Sequence, residues 1–210
     1  MPSDFKPAAR KADGDVWEVV YPVIQSNGDE CLITVEQDTS VLSWSVIFGD
    51  IWFCSGQSNM DREMSSIFNA TEEVANSAGY TNIRMFAISE QKSNTEQDDL
   101  TGDHWDGWYM PDNATILNTF SAVCFLFARS MTDRLSPAGE SRRVFGLIDS
   151  NWGGTRIEPW MSKDALDTCN IPPNTDDGKN SNEVLWNAMV HPFLRHNIYG
   201  ALWYQGKNQI

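Results

Sequence analysis

From residue 49 onward, four short and mostly apolar runs punctuate the chain, at 51–54, 83–88, 144–148 and 199–204. Runs of that length read as strands, and strands that are apolar on both faces need cover on both. Helix-compatible stretches separate them. The segment 60–77 is mixed in character. Phe120, Val123, Cys124, Phe127, Met131 and Leu135 fall at helical spacing, with Thr119 or Ser121 as the cap, and 184–194 reads as a helix shortened by Pro192. Polar stretches rich in Asp, Asn, Gly and Thr predict loops at 89–118 and 170–182. Alternation of this kind predicts an α/β domain with a parallel sheet between two layers of helix.

The first 48 residues have a different texture. Strand-like runs at 16–21, 31–35 and 41–48 flank a turn signal at Asn27-Gly28-Asp29, and no helical period appears. About three strands are too few to stand alone as a sheet. The expected organisation is therefore a β-rich segment over 1–48, the remnant of a β-domain, and an α/β domain over 49–210.

Charge narrows the partners. Against 15 basic residues stand 29 acidic ones, a formal charge of −14. Such a surface repels phosphate backbones, which argues against nucleic acid as a partner. No apolar run approaches the roughly 18–20 residues that a membrane span needs, so membrane insertion is not expected. Cys31, Cys54, Cys124 and Cys169 form no CxxC or Cys/His cluster, so no zinc site is expected. The even count permits disulfides, but Cys54 and Cys124 lie in apolar runs and read as buried thiols. The opening Met-Pro-Ser-Asp-Phe-Lys has no apolar leader, whereas Asn69-Ala70-Thr71 and Asn113-Ala114-Thr115 both fit the N-glycosylation pattern. Together they raise the expectation that the natural N-terminus lies upstream.

In parallel sheets, ligands bind beyond the carboxyl ends of the strands. The first such end carries Ser55-Gly56-Gln57-Ser58-Asn59-Met60, the third Asp149-Ser150-Asn151-Trp152-Gly153-Gly154-Thr155, and the fourth Gln205-Gly206-Lys207-Asn208. Ser58, placed between a strand and a helix, is either a helix cap or a hydroxyl nucleophile beside free N–H groups. Met60 stands where a Gly-x-Ser-x-Gly elbow would have its second glycine, which argues against an ordinary α/β-hydrolase. Gly153-Gly154 is either a tight turn or a loop whose amides approach a ligand closely. Gln205 offers a side-chain amide donor or is a plain strand-end residue.

The runs GDIWFCSGQSNM, GLIDSNWGGTRIEPWMS, VLWNAMVHPF and GALWYQGKNQ, in that order over 49–209, together resemble the sialate O-acetylesterase family within the SGNH hydrolases. The resemblance implies a three-layer, flavodoxin-like α/β fold. It implies Ser58 as the nucleophile, with its own N–H as one oxyanion donor. It makes Gly154, or else Gly153, the second donor and Gln205 a third polar group. The implied activity is hydrolysis of O-acetyl esters on sugars, sialic acids first, through an acetyl-enzyme and without metal or organic cofactor. A lysosomal or secreted location follows from the same resemblance. Trp152, Arg156 and Trp160 lie near the glycine pair and are candidates for stacking on a sugar and meeting a carboxylate.

Two departures from the family pattern stand out. Its fourth-strand motif is Gln-Gly-Glu followed within two residues by Asn, whereas here Lys207 replaces the acid and Asn208 matches the Asn only with a one-residue shift. The family's base comes from an Asp-x-x-His motif, yet Thr101, Ala188 and Phe193 stand three residues before His104, His191 and His196. His191 reads as structural, and His104 and Asp106 as solvated loop residues. The chain thus reads as the nucleophile-bearing part of an esterase. The alternative is a catalytically incomplete protein that binds glycans.

Overall fold

A computed structural model of the chain describes residues 9–10, 17–19, 24, 28–135, 143–174 and 178–206. Among the described residues, eight strands form three sheets. β1 (Ala9–Arg10) pairs antiparallel with β2 (Trp17–Glu18), and β3 (Glu30–Gln37) pairs antiparallel with β4 (Ser40–Ile47). The remaining four are β5 (Asp50–Gly56), β6 (Ile83–Ala87), β7 (Phe145–Asn151) and β8 (Gly200–Tyr204). They form one sheet in the order β6-β7-β5-β8, every pair parallel. This is the parallel α/β arrangement that the alternating pattern predicts.

The strand period of two distributes side chains to both faces. Cys54, Ile83, Met85, Phe145 and Leu147 join one core cluster, while their neighbours Phe53 and Ile148 join the other. The first cluster is covered by α2 (Ala114–Asn118) and α3 (Ala122–Leu135), the second by short helical turns that supply Trp160, Leu185, Ala188, Met189 and Phe193. All seven residues of β7 are buried, as a strand with cover on both faces must be. The outer edge of β6 is partly closed by a loop, with Met85 and Tyr109 exchanging two backbone hydrogen bonds of 2.8 Å. That pairing is how a sheet edge is protected.

Three expectations change. The segment 60–77 is not one helix but a turn, a 3-10 turn at Met64–Ser66 and α1 (Ala70–Asn76). The cause is tertiary: Met64 N–H donates to the Phe120 carbonyl (3.0 Å) and Ala122 N–H to the Arg62 carbonyl (2.9 Å), which draws the chain out of helical bonding. The helix at 184–194 tightens and widens into a π-turn at Trp186–Val190 and a 3-10 turn at His191–Phe193, with Pro192 in the first positions of the latter. Cys54 and Cys124 are not thiols. They form a disulfide between β5 and α3, their Cα atoms 5.9 Å apart. Their apolar surroundings hide the two cysteines from water and also bring strand and helix face to face. Cys31 and Cys169 are free. Among the described residues no helix is long and apolar enough to cross a membrane.

Candidate active site

Ser58 stands on a turn built by buried neighbours. Gly56 ends β5 with φ +134°, and a Cβ there would lie 2.2 Å from the Tyr204 carbonyl oxygen. Only glycine lets the strand turn this close against β8. Gln57 then donates its N–H to that carbonyl (3.1 Å), while its own carbonyl accepts from Met60 (2.7 Å) and Asp61 (3.0 Å). Gln57 and Met60 are each 1% exposed, so they pin the turn and leave Ser58 half-buried at its crest. No helix begins here, contrary to expectation, so Ser58 caps none and receives no helix dipole. Its hydroxyl donates to Gln57 Oε1 at 3.0 Å.

The glycine pair closes over this turn. Trp152 N–H donates to the Gly56 carbonyl (3.2 Å), which ties the end of β7 to the end of β5. A Cβ on Gly153 would lie 3.7 Å from both Cα and Cβ of Ser58. The Gly153 amide donates to Asp61 Oδ2 at 3.1 Å. Gly154, at φ +74°, has an amide with no protein acceptor among the described residues. Of the two glycines, Gly154 is therefore the one whose N–H is open to a ligand. From β8, Gln205 Nε2 donates to the Thr155 carbonyl (3.2 Å), and its Oε1 accepts from Trp203 Nε1 (3.1 Å). A side-chain amide carries two N–H groups, so one remains. The three strand ends meet: β5 brings Ser58, β7 the glycine pair, and β8 braces the loop through Gln205.

The other candidates divide. Trp152 is half-buried, with the Lys179 ammonium 5.3 Å from its ring centroid. Arg156 is exposed, and its backbone N–H donates to Asn180 Oδ1 (2.8 Å). Trp160 is corrected from sugar contact to core. It is 4% exposed, donates Nε1–H to Thr155 Oγ1 (3.0 Å) and meets Trp203 edge-on at 5.7 Å. Asn208, like Lys207, lies outside the described residues. Asn69 and Asn113 are both exposed at helix starts, Asn69 with φ 62° and Asn113 accepting from the Thr115 and Ile116 amides. None of the three histidines contacts Ser58. His104 Nδ1 bonds the Gly102 carbonyl, His191 lies between the Gln97 carbonyl and Glu96, and His196 packs on Phe193.

Four contributors escape the sequence reading: Gln57, Asp61, Asp149 and Lys179. Asp61 follows Ser58 by three positions, a spacing that a turn converts into proximity. Lys179 sits in a loop whose sequence gives no sign of where its side chain reaches. A cavity of about 480 Å³ opens beyond β6 and β7, lined by Asp61, Glu90, Trp105, Thr119, Asp149 and Asn151 among others. Asp149 is 7% exposed. Burial pushes its carboxyl up to about 7, and Asp61 adds to this, against the stabilising donors Ser121 N–H and Asn151 Nδ2. Glu90 is raised chiefly by burial and further by Asp61, with Lys179 opposing. Among the described residues no group of three His, Cys, Asp or Glu side chains is placed to hold a metal ion.

This geometry has parallels in known proteins. Residues 48–210 match the model of a family described as carbohydrate esterase, sialic acid-specific acetylesterase. Over 215 residues the chain is 35% identical to the sialate O-acetylesterases of Pongo abelii and Homo sapiens, covering 95% of this chain and 40% of each relative. The Mus musculus enzyme of that name is 31% identical over 239 residues, 94% of this chain and 43% of the relative. A crystal structure of a carbohydrate acetylesterase from Xanthomonas citri superposes with a TM-score of 0.70 at 27% identity, covering 84% of this chain and 37% of that one. The chain thus spans about 40% of the length of the curated relatives it matches. Family match, identity and fold agree, and the chain belongs to the sialic acid-specific acetylesterase family of carbohydrate esterases.

Proposed function

We propose that residues 49–210 form the nucleophile-bearing part of an O-acetylesterase acting on acetylated sugars, sialic acids above all, and that 1–48 belong to a separate β-rich unit. The observation that carries this reading is the meeting of Ser58 and the glycine pair at a reachable surface. Ser58 Oγ attacks the acetyl carbonyl, and the carbonyl oxygen gains charge as the tetrahedral intermediate forms. The Gly154 amide and the second Gln205 N–H are donors that receive that charge, joined by the Ser58 amide when it exchanges its 3.4 Å bond to Gln57 Oε1 for the oxyanion. Each such donor supports roughly 10²–10³ of rate. Collapse expels the sugar hydroxyl and leaves an acetyl ester on Ser58, which water hydrolyses to acetate. The proton of Ser58, now shared with Gln57, must pass to a base, and none of the three histidines is in contact to take it.

Incubation with p-nitrophenyl acetate and with O-acetylated sialic acid tests the reading, with acetate release and the acetyl adduct on Ser58 followed by mass spectrometry. Ser58→Ala abolishes both. Adduct or acetate that persists in Ser58→Ala overturns it. Saturable sugar binding with neither adduct nor acetate in the unaltered chain favours the glycan-binding alternative. That second reading draws on the lack of histidine contact with Ser58.

The same proposal places the protein in a secretory or lysosomal compartment. The buried Cys54–Cys124 disulfide suits oxidising conditions, and the exposed Asn69 and Asn113 are reachable by a glycosyl transferase.

A further inference from the structure

We propose that Lys179 is the residue that holds the carboxylate of an acidic O-acetylated sugar beside Ser58. The proposal rests on the esterase reading and narrows it to a binding contact. Lys179 Nζ donates to the Gly153 carbonyl at 2.5 Å. A Cβ on Gly154 would lie 3.4 Å from the same nitrogen. The Cα and Cβ of Ser58 lie 3.7 Å from where a Cβ on Gly153 would sit. Lys179 and Ser58 thus both lie against Gly153. A sugar whose acetyl group reaches Ser58 has the ammonium within its own span.

The charge there is not neutralised by an ion pair. Arg129 pairs with Glu73, Lys163 with Asp167 and Arg195 with Asp98, but Lys179 makes no salt bridge among the described residues. An ammonium has three N–H donors, and one is spent on Gly153. Trp152 supports it from below, its ring centroid 5.3 Å away, which fixes the position of a side chain that is otherwise flexible. Half-burial strengthens a charge-assisted bond to an incoming carboxylate relative to one in open water. The acids at the cavity, Asp61 and Glu90, disfavour a carboxylate within it and can accept from sugar hydroxyls instead. Arg156, the other cation near the glycine pair, is exposed, and only its backbone is tied to this loop.

Binding is measured by calorimetry in the Ser58→Ala background, so that no ligand is consumed. The probes are O-acetylated N-acetylneuraminic acid, its carboxyl methyl ester and an O-acetylated neutral hexose. The free acid binds roughly tenfold to a hundredfold more tightly than its ester, the worth of one charged hydrogen bond. Lys179→Met erases that ratio by weakening the acid more than the ester, whereas a merely structural role for the lysine would weaken both alike. Lys179→Arg retains most of the ratio, and Arg156→Gln leaves it intact. Equal binding of acid and ester, a ratio that survives Lys179→Met, or one lost only in Arg156→Gln overturns the proposal alone. Binding of none of the three sugars overturns both this proposal and the esterase reading.

Discussion

The β3–β4 hairpin and the β5–β8 sheet are built from similar residues and end in opposite environments. β3 and β4 are richer in Leu, Val, Ile and Trp than the sheet, yet Leu32 is 71% exposed, Val41 and Leu42 60%, and Trp44 50%. In β7 nothing is exposed. The hairpin is closed locally, by a tight turn in which Asp38 takes φ 52° and Gln37 faces Ser40. Its side-chain links are surface ones, Thr34 to Ser43 (3.0 Å) and Ser45 to Glu30 (3.1 Å). The sheet is closed by distant segments, with Asp50 facing Phe145 and Trp52 facing Gly200. Strand propensity makes a strand, but burial needs a second layer. The sheet has α3 and the 184–193 turns on its two sides, whereas Leu32, Val35, Val41, Leu42 and Trp44 of the hairpin remain exposed among the described residues.

The largest expected effect comes from breaking what joins the sheet to its cover. Removing the Cys54–Cys124 disulfide in the C54A/C124A double variant releases a constraint across 70 residues of chain. Loop-closure entropy sets the loss at about 4 kcal/mol. Urea unfolding reads it as a lower midpoint, and a midpoint equal to the parent's means the bond adds nothing to the sheet.

Acidity gives the second contrast, because Asp149 is buried in the sheet while the hairpin's acids are exposed. A carboxyl raised to about 7 keeps its proton in the folded state after the unfolded chain has lost its own. Its contribution to stability is therefore fully present below the ordinary carboxylate range and is withdrawn as pH rises through about 7. The difference is on the order of 4 kcal/mol across that window. Thermal melts from pH 4 to 8 should show the parent losing ground to Asp149→Asn as pH rises. Parallel curves would mean the group does not titrate there.

The smallest effect belongs to the hairpin itself. Leu32→Ser with Leu42→Ser exchanges exposed apolar groups for polar ones and should change the unfolding free energy measured in urea by no more than about 0.5 kcal/mol. A loss of several kcal/mol would show that these side chains are covered in solution and that the contrast with the sheet is false.

Much of the site was legible because motif and topology coincide. Each of Ser58, Gly153-Gly154 and Gln205 follows an apolar strand, and a parallel sheet places all those ends on one side. The residues that finish the site were not legible. Asp61 reaches the Gly153 amide only because 57–61 is a turn, closed by the Met60 and Asp61 amides on the Gln57 carbonyl and followed by 62–64 bonding to 120–122. Trp160 looked available beside the glycines, but Thr155 and Trp203 enclose it. Cys54 and Cys124 were read correctly as buried and wrongly as unpaired, since apolar context reports depth and not partners.

By itself the sequence determined the period of each strand, the α/β alternation, and Gly56, without which the chain could not pass so close to Tyr204. Those are local properties, set by side-chain size and backbone freedom within a few residues. Tertiary structure alone decided which strands became neighbours, which cysteines met, and that the Lys179 ammonium would rest on the Gly153 carbonyl. Such pairings depend on distances between segments far apart along the chain, and no short window of residues encodes them.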